Sequence, residues 1–491
     1  MSISFNEIPV NLLTPGQYVE FDNSKAVGGL VNETARILLF APKLATGKAE
    51  ANKAVQVTNA AEGVTLCGLG SVGAAMLSAV FSVTRTIETW LIPIEDPTGG
   101  TAAKGTVTVA GSAIDAGTIS LYVAGTRLQI GATVGQTAAE TAKAIAAAVN
   151  EAAELPVTAE ASEGVVTLTA RHKGTIGNDI DVRTNFYAGE KDVAGLAVTC
   201  KPLSGGAGAP DIAEAISLLD EKQYNTMIAP WTDGPVLKSL ETELDKRWGP
   251  LYQNDGHLHV AFRGTVGEIN EKLAQSNNPH VTMWTAEKDG EPEPVYLKAA
   301  LAGAVCAYNL DIDPARPVQT LVLTGRLPAP VDKRFTREER NNILSYGGAT
   351  TKVDAGGNVI IERAVTTYTK NPSTGITDPS YRDIETMATL SRLRYQVRAR
   401  IALRYPRVKL VGDDTEIPPG QAMVTPKLIK AELVALHSDW VQAGLVEDVE
   451  SFKDELIVER NASDVNRVDV LLPPNLVNQL RVFAAKIEFR L

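Results

Sequence analysis

The sequence has few cysteines, few aromatic residues and no excess of positive charge. Only three of its 491 residues are cysteines, far apart and without a CxxC pair, which argues against a disulfide framework and favours folding in a reducing cytosol. Aromatic residues make up 5% of the chain, which disfavours binding of single strands or carbohydrates by stacking. The net charge of −11 disfavours a general nucleic-acid binder or a basic membrane-surface protein. These exclusions leave a large soluble protein, and the chain length indicates roughly three or four domains.

Targeting signals are also lacking. The start of the chain, Met-Ser-Ile-Ser-Phe, has neither the basic nor the apolar region of a signal peptide. The longest uncharged stretch that needs testing, residues 64–84, contains three glycines and several serines and threonines. It is typical of a buried segment and not of a membrane span. We therefore expect no direct membrane insertion.

The order of predicted elements favours an α+β fold with a mixed α/β core. The apolar run RILLFA at 36–41 predicts a strand buried on both faces, and a helix at 73–88 and a strand at 89–94 follow it. Between 98 and 208 the chain is rich in Thr, Val, Ala and Gly and alternates in short runs around one alanine-rich helix at 137–152, which predicts an inserted, mostly β domain. The predicted division is an N-terminal arm at 1–25, a discontinuous core at 26–97 plus 209–376, the insert at 98–208, a C-terminal domain at 377–483 and a C-terminal arm strand at 484–491.

Shorter signals predict elements in the second half of the chain. Core strands are expected at 224–229 and 257–262, and the turn residues DAGGN before VIIER indicate a hairpin near 354–363. Helices are expected at 379–405, where Pro406 ends the run, and at 426–441. Further strands are predicted at 456–460 and 466–472.

A GxGxxG motif spans Gly68 to Gly73, and Glu95 lies 22 residues beyond it. In a dinucleotide-binding fold such glycines admit a pyrophosphate to the start of a helix, and the acid binds the ribose hydroxyls. The segment before the motif, residues 62–67, makes only a weak first strand. The other interpretation is a tight glycine turn that packs a helix closely, and both stay open on the motif alone.

The remaining polar residues give catalysis little support. His257 and His259 share one face of a predicted strand, where they would begin a metal site or, as we expect, lie on a solvated face. No third histidine or cysteine lies near them in the sequence. Asp311 and Asp313 could pair, although the prolines that follow favour a structured loop. No nucleophile elbow or triad spacing is present, so no catalytic, cofactor-binding or metal site is expected.

A basic helix is the most informative charged segment. Residues 392–409 carry seven basic side chains and no acid, whereas residues 411–460 carry eleven acids against four bases. Leu390, Leu393, Val397 and Ile401 form one apolar stripe on this helix, and arginines border it. The pattern favours docking onto an acidic surface, or association between copies of the chain. Arginines that pair within their own domain are the alternative.

The C-terminus alternates strictly. Ile487, Phe489 and Leu491 fall on one face of a predicted strand, with Lys486, Glu488 and Arg490 on the other. The backbone of a terminal strand needs hydrogen-bond partners at a sheet edge, either in its own domain or in another subunit. The segment 18–22 (YVEFD) alternates in the same way near the N-terminus, so exchanged arms are plausible.

Several segments of the chain resemble the tail sheath protein of Mu-like contractile-tailed phages. The strongest likeness lies in DPARPVQTL (313–321), RFTREERNNIL (334–344), VIIERAVTTY (359–368) and DPSYRDIE (378–385). The segments ISFNEIP (3–9), YVEFD (18–22) and NRVDVLLPPN (466–475) are similar too. The likeness runs essentially from end to end and in the same order.

The resemblance implies a structural polymer and not an enzyme. Rings of subunits, expected to be hexameric, would stack helically around a tail tube and contract to drive it through the host envelope. Such sheaths link neighbours through terminal arms that complete a sheet in an adjacent C-terminal domain. The residues that match these arms are Tyr18, Val19, Glu20, Phe21, Ile487, Phe489 and Leu491.

The resemblance also implies which surfaces face other proteins. A basic helix of the inner, C-terminal domain is expected to face the tube, and the insert is expected to project outward. The candidate tube-facing residues are Arg394, Arg398, Arg400 and Arg404.

The implied partners are other copies of the chain, the tail tube protein, and the baseplate and tail terminator proteins, without nucleic acid or cofactor. The protein would assemble in the host cytoplasm and reside in the virion. Two alternatives remain at this point. One is the sheath of a phage-derived bacteriocin or contractile injection system. The other is a nucleotide-binding cytosolic enzyme that uses the turn from Gly68 to Gly73.

Overall fold

The structure, a computed structural model, describes residues 14–19, 33–219 and 221–490. The chain divides into two compact units, of which the first combines residues 34–391 with the last residues from 478 onward, and the second contains residues 392–477. Each unit contains helices and strands, which confirms the predicted α+β class. In this division residues 377–391 group with the first unit. The five-part division of the chain stays a prediction.

The first part of the core follows the predicted order closely. Its elements are β1 (Arg36–Pro42), β2 (Val55–Val57), α1 (Ala60–Cys67), α2 (Val72–Val83) and β3 (Glu88–Ile94). The predicted strand at 36–41 is confirmed, because β1 pairs in parallel with β3 on one side and its apolar residues are fully buried. α2 begins where Ser71 accepts a hydrogen bond from the backbone N–H of Ala74.

The insert is rich in strands, as predicted. Its elements are β4 (Ala102–Gly111), β5 (Gly117–Val123), β6 (Thr126–Ala132), α3 (Ala138–Glu151), β7 (Val157–Ser162), β8 (Val165–Lys173), β9 (Val182–Thr184) and β10 (Leu196–Ser204). Four of the strands form an antiparallel sheet in the order β10-β4-β8-β7, and three form a second sheet in the order β6-β5-β9. The alanine-rich helix α3 starts at a capping box made by Thr137 and Glu140.

The second part of the core completes a large mixed sheet. Its elements are α4 (Ala213–Ser217), β11 (Thr226–Ile228), α5 (Gly234–Trp248), β12 (His257–Gly264), α6 (Val266–Leu273), β13 (Val281–Glu287), α7 (Val295–Ile312), α8 (Arg337–Ser345), β14 (Gly348–Val353) and β15 (Val359–Arg363). Among the described residues the sheet has eight strands, in the order β15-β14-β13-β12-β11-β1-β3-β2. Its interior pairings are parallel and its two outermost pairings are antiparallel. The predicted hairpin at 354–363 is confirmed by the pairing of β14 with β15.

Helix α7 lies at the centre of this core. In the part of the chain that the structure describes, it is the one helix long and apolar enough to cross a membrane by length and composition, and 67% of it is buried inside the protein. It packs against α2 and against β11, β12 and β13. Because it is apolar on all sides, its sequence shows no amphipathic period.

The histidine pair lies in this core, and the expectation of a solvated strand face was wrong. β12 is an interior strand of the sheet, and His257 and His259 are both buried. The Nε2 of His257 is 2.8 Å from the hydroxyl of Thr282, and the Nδ1 of His259 accepts a hydrogen bond from the indole N–H of Trp284 at 3.1 Å. Among the described residues no group of three or more potential ligands is placed to hold a metal ion. Helices cover both faces of a mostly parallel sheet, so a polar pair on such a strand is buried.

These histidines predict acid sensitivity of the core. Burial lowers the pKa of His259 to about 3 and that of His257 well below its ordinary value of 6.5. Between these values and 6.5 the unfolded chain binds protons that the folded chain does not, so stability falls as the pH falls through this window. His259→Gln keeps an acceptor for Trp284 and removes one proton site. We expect it to reduce the loss of unfolding free energy between pH 7 and pH 5 by about 2 kcal/mol, measured by urea unfolding. An equal pH dependence in both proteins would contradict the prediction.

The second unit is built mainly from two helices and short strand pairs. Its elements are α9 (Ile384–Arg404), which starts in the first unit, β16 (Lys409–Leu410), β17 (Met423–Val424), α10 (Pro426–Gln442), β18 (Val446–Glu447), α11 (Val449–Glu455), β19 (Ile457–Arg460), β20 (Val468–Leu471) and β21 (Asn475–Leu476). The strands pair as β16 with β17, β18 with β21, and β19 with β20. The predicted helices at 379–405 and 426–441 and the strands at 456–460 and 466–472 are confirmed, each to within a few residues.

Candidate assembly surfaces

The glycine motif joins two helices. Residues 62–67, which a dinucleotide fold would need as a strand, lie in α1. The turn between α1 and α2 places Gly68 and Gly70 at positive φ angles of 92° and 76°, a conformation that glycine adopts without cost. The motif is therefore a turn between two helices, and the first strand that a dinucleotide fold requires is not formed by residues 62–67.

The insert occupies the place where a phosphate would bind. The backbone N–H of Val72, in the first turn of α2, donates to Nε2 of His172 at 3.1 Å, and Nδ1 of that imidazole is 2.7 Å from the carboxylate of Asp96. A Cβ atom on Gly70 would lie 2.7 Å from Nε of Arg171. Glu95 is exposed. The motif is thus the tight turn of the close-packing interpretation, and residues of the insert lie against it.

The N-terminal arm candidates are only partly described. Tyr18 and Val19 are exposed and lie outside helices and strands, and the Tyr18 hydroxyl donates to the backbone oxygen of Thr14 at 3.2 Å. Glu20 and Phe21 lie outside the described residues, as does most of the predicted strand at 18–22. The role of this segment in assembly stays a prediction.

The C-terminal arm candidates that the structure describes project from the core and pair with no strand of the described chain. Residues 482–490 are in neither a helix nor a strand, and every one of them is exposed. The side chains of Ile487 and Phe489 are 87% and 80% exposed, while Lys486 and Glu488 form an ion pair between them. Leu491 lies outside the described residues. Exposed apolar side chains of this size are typical of surfaces that bind other proteins.

The hairpin of β19 and β20 is a sheet of only two strands among the described residues. Its register pairs Ile457 with Leu471 and Arg460 with Val468, so each strand has an outer edge to which a further strand can add. Ile457, Val470 and Leu471 are exposed on it. The hairpin is supported by helix α10, which packs against β19.

Two arginines of the basic helix form ion pairs with acids of α10. Arg400 is 11% exposed and is ion-paired through Nη1 to Oε1 of Glu432 at 2.9 Å and through Nη2 to Asp439, both on α10. Arg404 lies 3.3 Å from the same carboxylate of Glu432. For these two residues the structure agrees with the alternative of pairing within the domain. Arg398 is exposed and Arg394 is half-buried.

Substitution of the ion-paired Arg400 is expected to reduce the stability of the protein. Arg400→Met removes the guanidinium from Glu432 and Asp439 and is expected to destabilise the second unit by roughly 1.5–3 kcal/mol. Arg407→Met, at an exposed position just after the same helix, is the control and is expected to stay within about 0.5 kcal/mol. Chemical unfolding followed by tryptophan fluorescence measures both, because Trp440 is buried in α10. Equal midpoints for the two variants would contradict the assignment.

Known proteins resemble the chain over its whole length. Residues 205–367 match the phage tail sheath protein central domain, and residues 377–490 match the phage tail sheath C-terminal domain. The Mu-like prophage FluMu tail sheath protein of Haemophilus influenzae is 43% identical over 489 residues, which cover 100% of both chains.

Two solved structures share the fold at low identity. The sheath tail protein of Desulfitobacterium hafniense is 14% identical with a TM-score of 0.51, covering 95% of this chain and 97% of its own. The sheath complex of an extracellular contractile injection system in its contracted state is 11% identical with a TM-score of 0.50, covering 97% and 98%.

Proposed function

The chain belongs to the phage tail sheath family, and from this premise we propose that it is a structural subunit of a contractile tail sheath. Many copies polymerise helically around a tail tube and contract to drive the tube through the host envelope. The full-length identity of 43% to a Mu-like prophage tail sheath protein carries this conclusion. The role is structural and not enzymatic, and the sheath is a component of the virion.

Assembly through the C-terminal arm accounts for the exposed segment and the open hairpin together. The alternating segment from 484 onward adds as a strand to the β19–β20 hairpin of a neighbouring subunit, so that Ile487 and Phe489 become buried there. Each added backbone hydrogen bond contributes only about 0.5–1.5 kcal/mol, but several form at every arm. The N-terminal arm, through Tyr18 to Phe21, makes a second link of the same kind.

Contraction is a change of lattice and needs no cofactor. An extended lattice assembled on the tube relaxes to one that buries more surface between subunits, while the folded units move as rigid bodies and the arms remain tethers. Arg394 and Arg398 face the tube, and the insert faces outward. Stacked hexameric rings, with baseplate and tail terminator proteins at the two ends, complete the assembly.

Electron microscopy of the purified full-length protein tests this function. The protein is imaged alone at high concentration and together with the tail tube protein encoded with it. We expect wide, hollow, striated tubes, which in the second sample surround the tail tube. Discrete small particles in both samples would contradict the proposal.

The same fold serves an extracellular contractile injection system, so a sheath of a bacteriocin or injection device is the second candidate. Capsid genes beside the coding sequence distinguish a phage from such a device. The nucleotide-binding alternative loses its physical basis, because His172 already binds the start of α2.

A further inference from the structure

The C-terminal arm leaves the core at a sharply defined residue. Arg481 has 13% of its side chain exposed, whereas residues 482–490 are all exposed. The two residues before it are also held: the side-chain amide of Gln479 donates to the backbone oxygen of Ala315 at 3.3 Å, and the backbone oxygen of Leu480 accepts from the side chain of Gln319 at 3.4 Å. We call residues 479–481, which are bound to the core, the root of the arm, and the exposed residues from 482 onward its tip.

The root is held by an ion cluster at the start of α9. Nη2 of Arg481 lies 2.7 Å from Oε2 of Glu385 and 3.3 Å from Oδ1 of Asp383, and its Nη1 donates to the side-chain oxygen of Gln319 at 3.3 Å. Asp383 is also bound by Arg363 in a two-point contact, with both distances 2.9 Å. The cluster thus joins the arm to three segments of the core, at Gln319, at the start of α9 and, through Asp383, at Arg363.

Glu385 makes this attachment costly to release. Its side chain is 0% exposed, and its other oxygen, Oε1, accepts the backbone N–H of Val318 at 3.0 Å. If Arg481 left, the Glu385 carboxylate would keep the amide donor of Val318 but lose the guanidinium that pairs with it. Breaking a buried ion pair by removing one partner is strongly unfavourable, because the remaining charge is left uncompensated.

We infer that Arg481 is the fixed pivot of the C-terminal arm, so that the moving part of the arm begins at residue 482. The inference rests on the proposed function in one respect only, namely that the tip binds another subunit. The ten residues from 482 to 491 reach about 33 Å when extended, which sets the span over which a neighbour can be tethered. Tension on the tip passes through the Arg481–Glu385 pair to the first turn of α9. Arg481 is accordingly a positioning residue for the arm.

The attachment is measurable in the monomer by the distance between two spin labels. One label replaces Val482, next to the pivot, and the other replaces Asn341 in the middle of α8, an exposed position on the same compact unit. Cys200 is changed to serine, because it is the partly exposed one of the three cysteines. A fixed root predicts a single narrow distance distribution.

The test variant is Arg481→Met combined with Glu385→Gln, which removes the ion pair between these residues without leaving a buried charge. The hydrogen bonds of Gln479 and Leu480, 3.3 Å and 3.4 Å long, then remain. We expect the chain from residue 478 to move as a flexible segment whose spread grows with the square root of its length, so that the distance distribution broadens about two-fold. Arg490→Gln removes an exposed charge from the same arm and should leave the distribution narrow. Arg481→Lys keeps the charge without the forked guanidinium and should give an intermediate width.

Equal widths in the double variant and the unaltered protein would overturn the pivot, as would a broad distribution in the unaltered protein. These results do not depend on polymerisation, because dilute monomer is measured. Absence of sheath tubes would contradict the proposed function but not the pivot. Tubes formed by a protein whose root is not fixed would contradict the pivot but not the proposed function.

Discussion

Removal of residues 487–491 is expected to leave a folded monomer that cannot polymerise. The core does not use these residues, since those of them that the structure describes are exposed and in no helix or strand, so the free energy of unfolding should change by no more than about 0.5 kcal/mol. Assembly loses much more. Burial of Ile487 and Phe489 in a neighbour is worth roughly 1.5–3 kcal/mol for each side chain, and the backbone hydrogen bonds of the strand are lost as well. Sedimentation velocity and electron microscopy measure the assembly state. Long tubes formed by the truncated protein would contradict the role of the C-terminal arm in polymerisation.

The strict alternation of the arm offers a matched pair of controls for that experiment. Ile487→Ser with Phe489→Ser removes only the apolar face and should block assembly nearly as well as the truncation. Lys486→Ser with Glu488→Ser alters the opposite face and should assemble normally. If both pairs behaved alike, the side chains would not be buried on one face, and strand addition in this register would be wrong.

Reversal of the charge at Arg394 and Arg398 is expected to spare self-assembly and abolish assembly on the tail tube. The contact with the tube depends on a basic surface, and two glutamates would repel the acidic partner surface that such a helix fits. The variant leaves out Arg400 and Arg404, because both are ion-paired to Glu432 and their reversal would disturb the fold. Co-sedimentation with preformed tubes, followed by electron microscopy, measures the effect.

A control with the same change in net charge separates the surface from the total charge. Lys143→Glu with Lys191→Glu places the reversal at two exposed positions of the insert, which is expected to face outward. This variant should coat tubes normally. Normal tails from the variant of Arg394 and Arg398 would refute the assignment of these arginines to the tube.

Local sequence patterns predicted helices and strands correctly where neighbouring residues alone determine the backbone conformation. The apolar run at 36–41 had to be a buried strand whichever neighbours it found, and the turn before Val359 fixed a hairpin through glycine and asparagine. The alanine-rich helix of the insert was recognisable because its composition alone favours a helix. These features need no knowledge of distant residues.

Tertiary packing decided the features that the sequence did not reveal. The pattern at His257 and His259 shows two polar residues on one strand face, but only the position of β12 inside the sheet buries them. Residues 62–67 were weak as a strand and became a helix that packs on α2. The helical wheel placed Arg400 beside an apolar stripe, and it could not show Glu432 and Asp439 arriving from α10.

The contacts at the root of the C-terminal arm could not be predicted from the family likeness. Three of the segments that resemble sheath proteins, 313–321, 359–368 and 378–385, meet around Arg481. The sequence marked these segments as characteristic, but it gave no sign of a common contact. Their sequence separations, of up to 168 residues between Asp313 and Arg481, place such a cluster beyond any local pattern.

The most direct test of the account is the structure of the assembled sheath by electron cryo-microscopy, traced from subunit to subunit. We expect residues 484–491 to form a strand at an edge of the β19–β20 hairpin of a neighbouring subunit, with Ile487 and Phe489 buried there and Arg481 still bound to Glu385 of its own core. An arm that folds back onto its own subunit, or that stays unpaired in the assembled lattice, would contradict it.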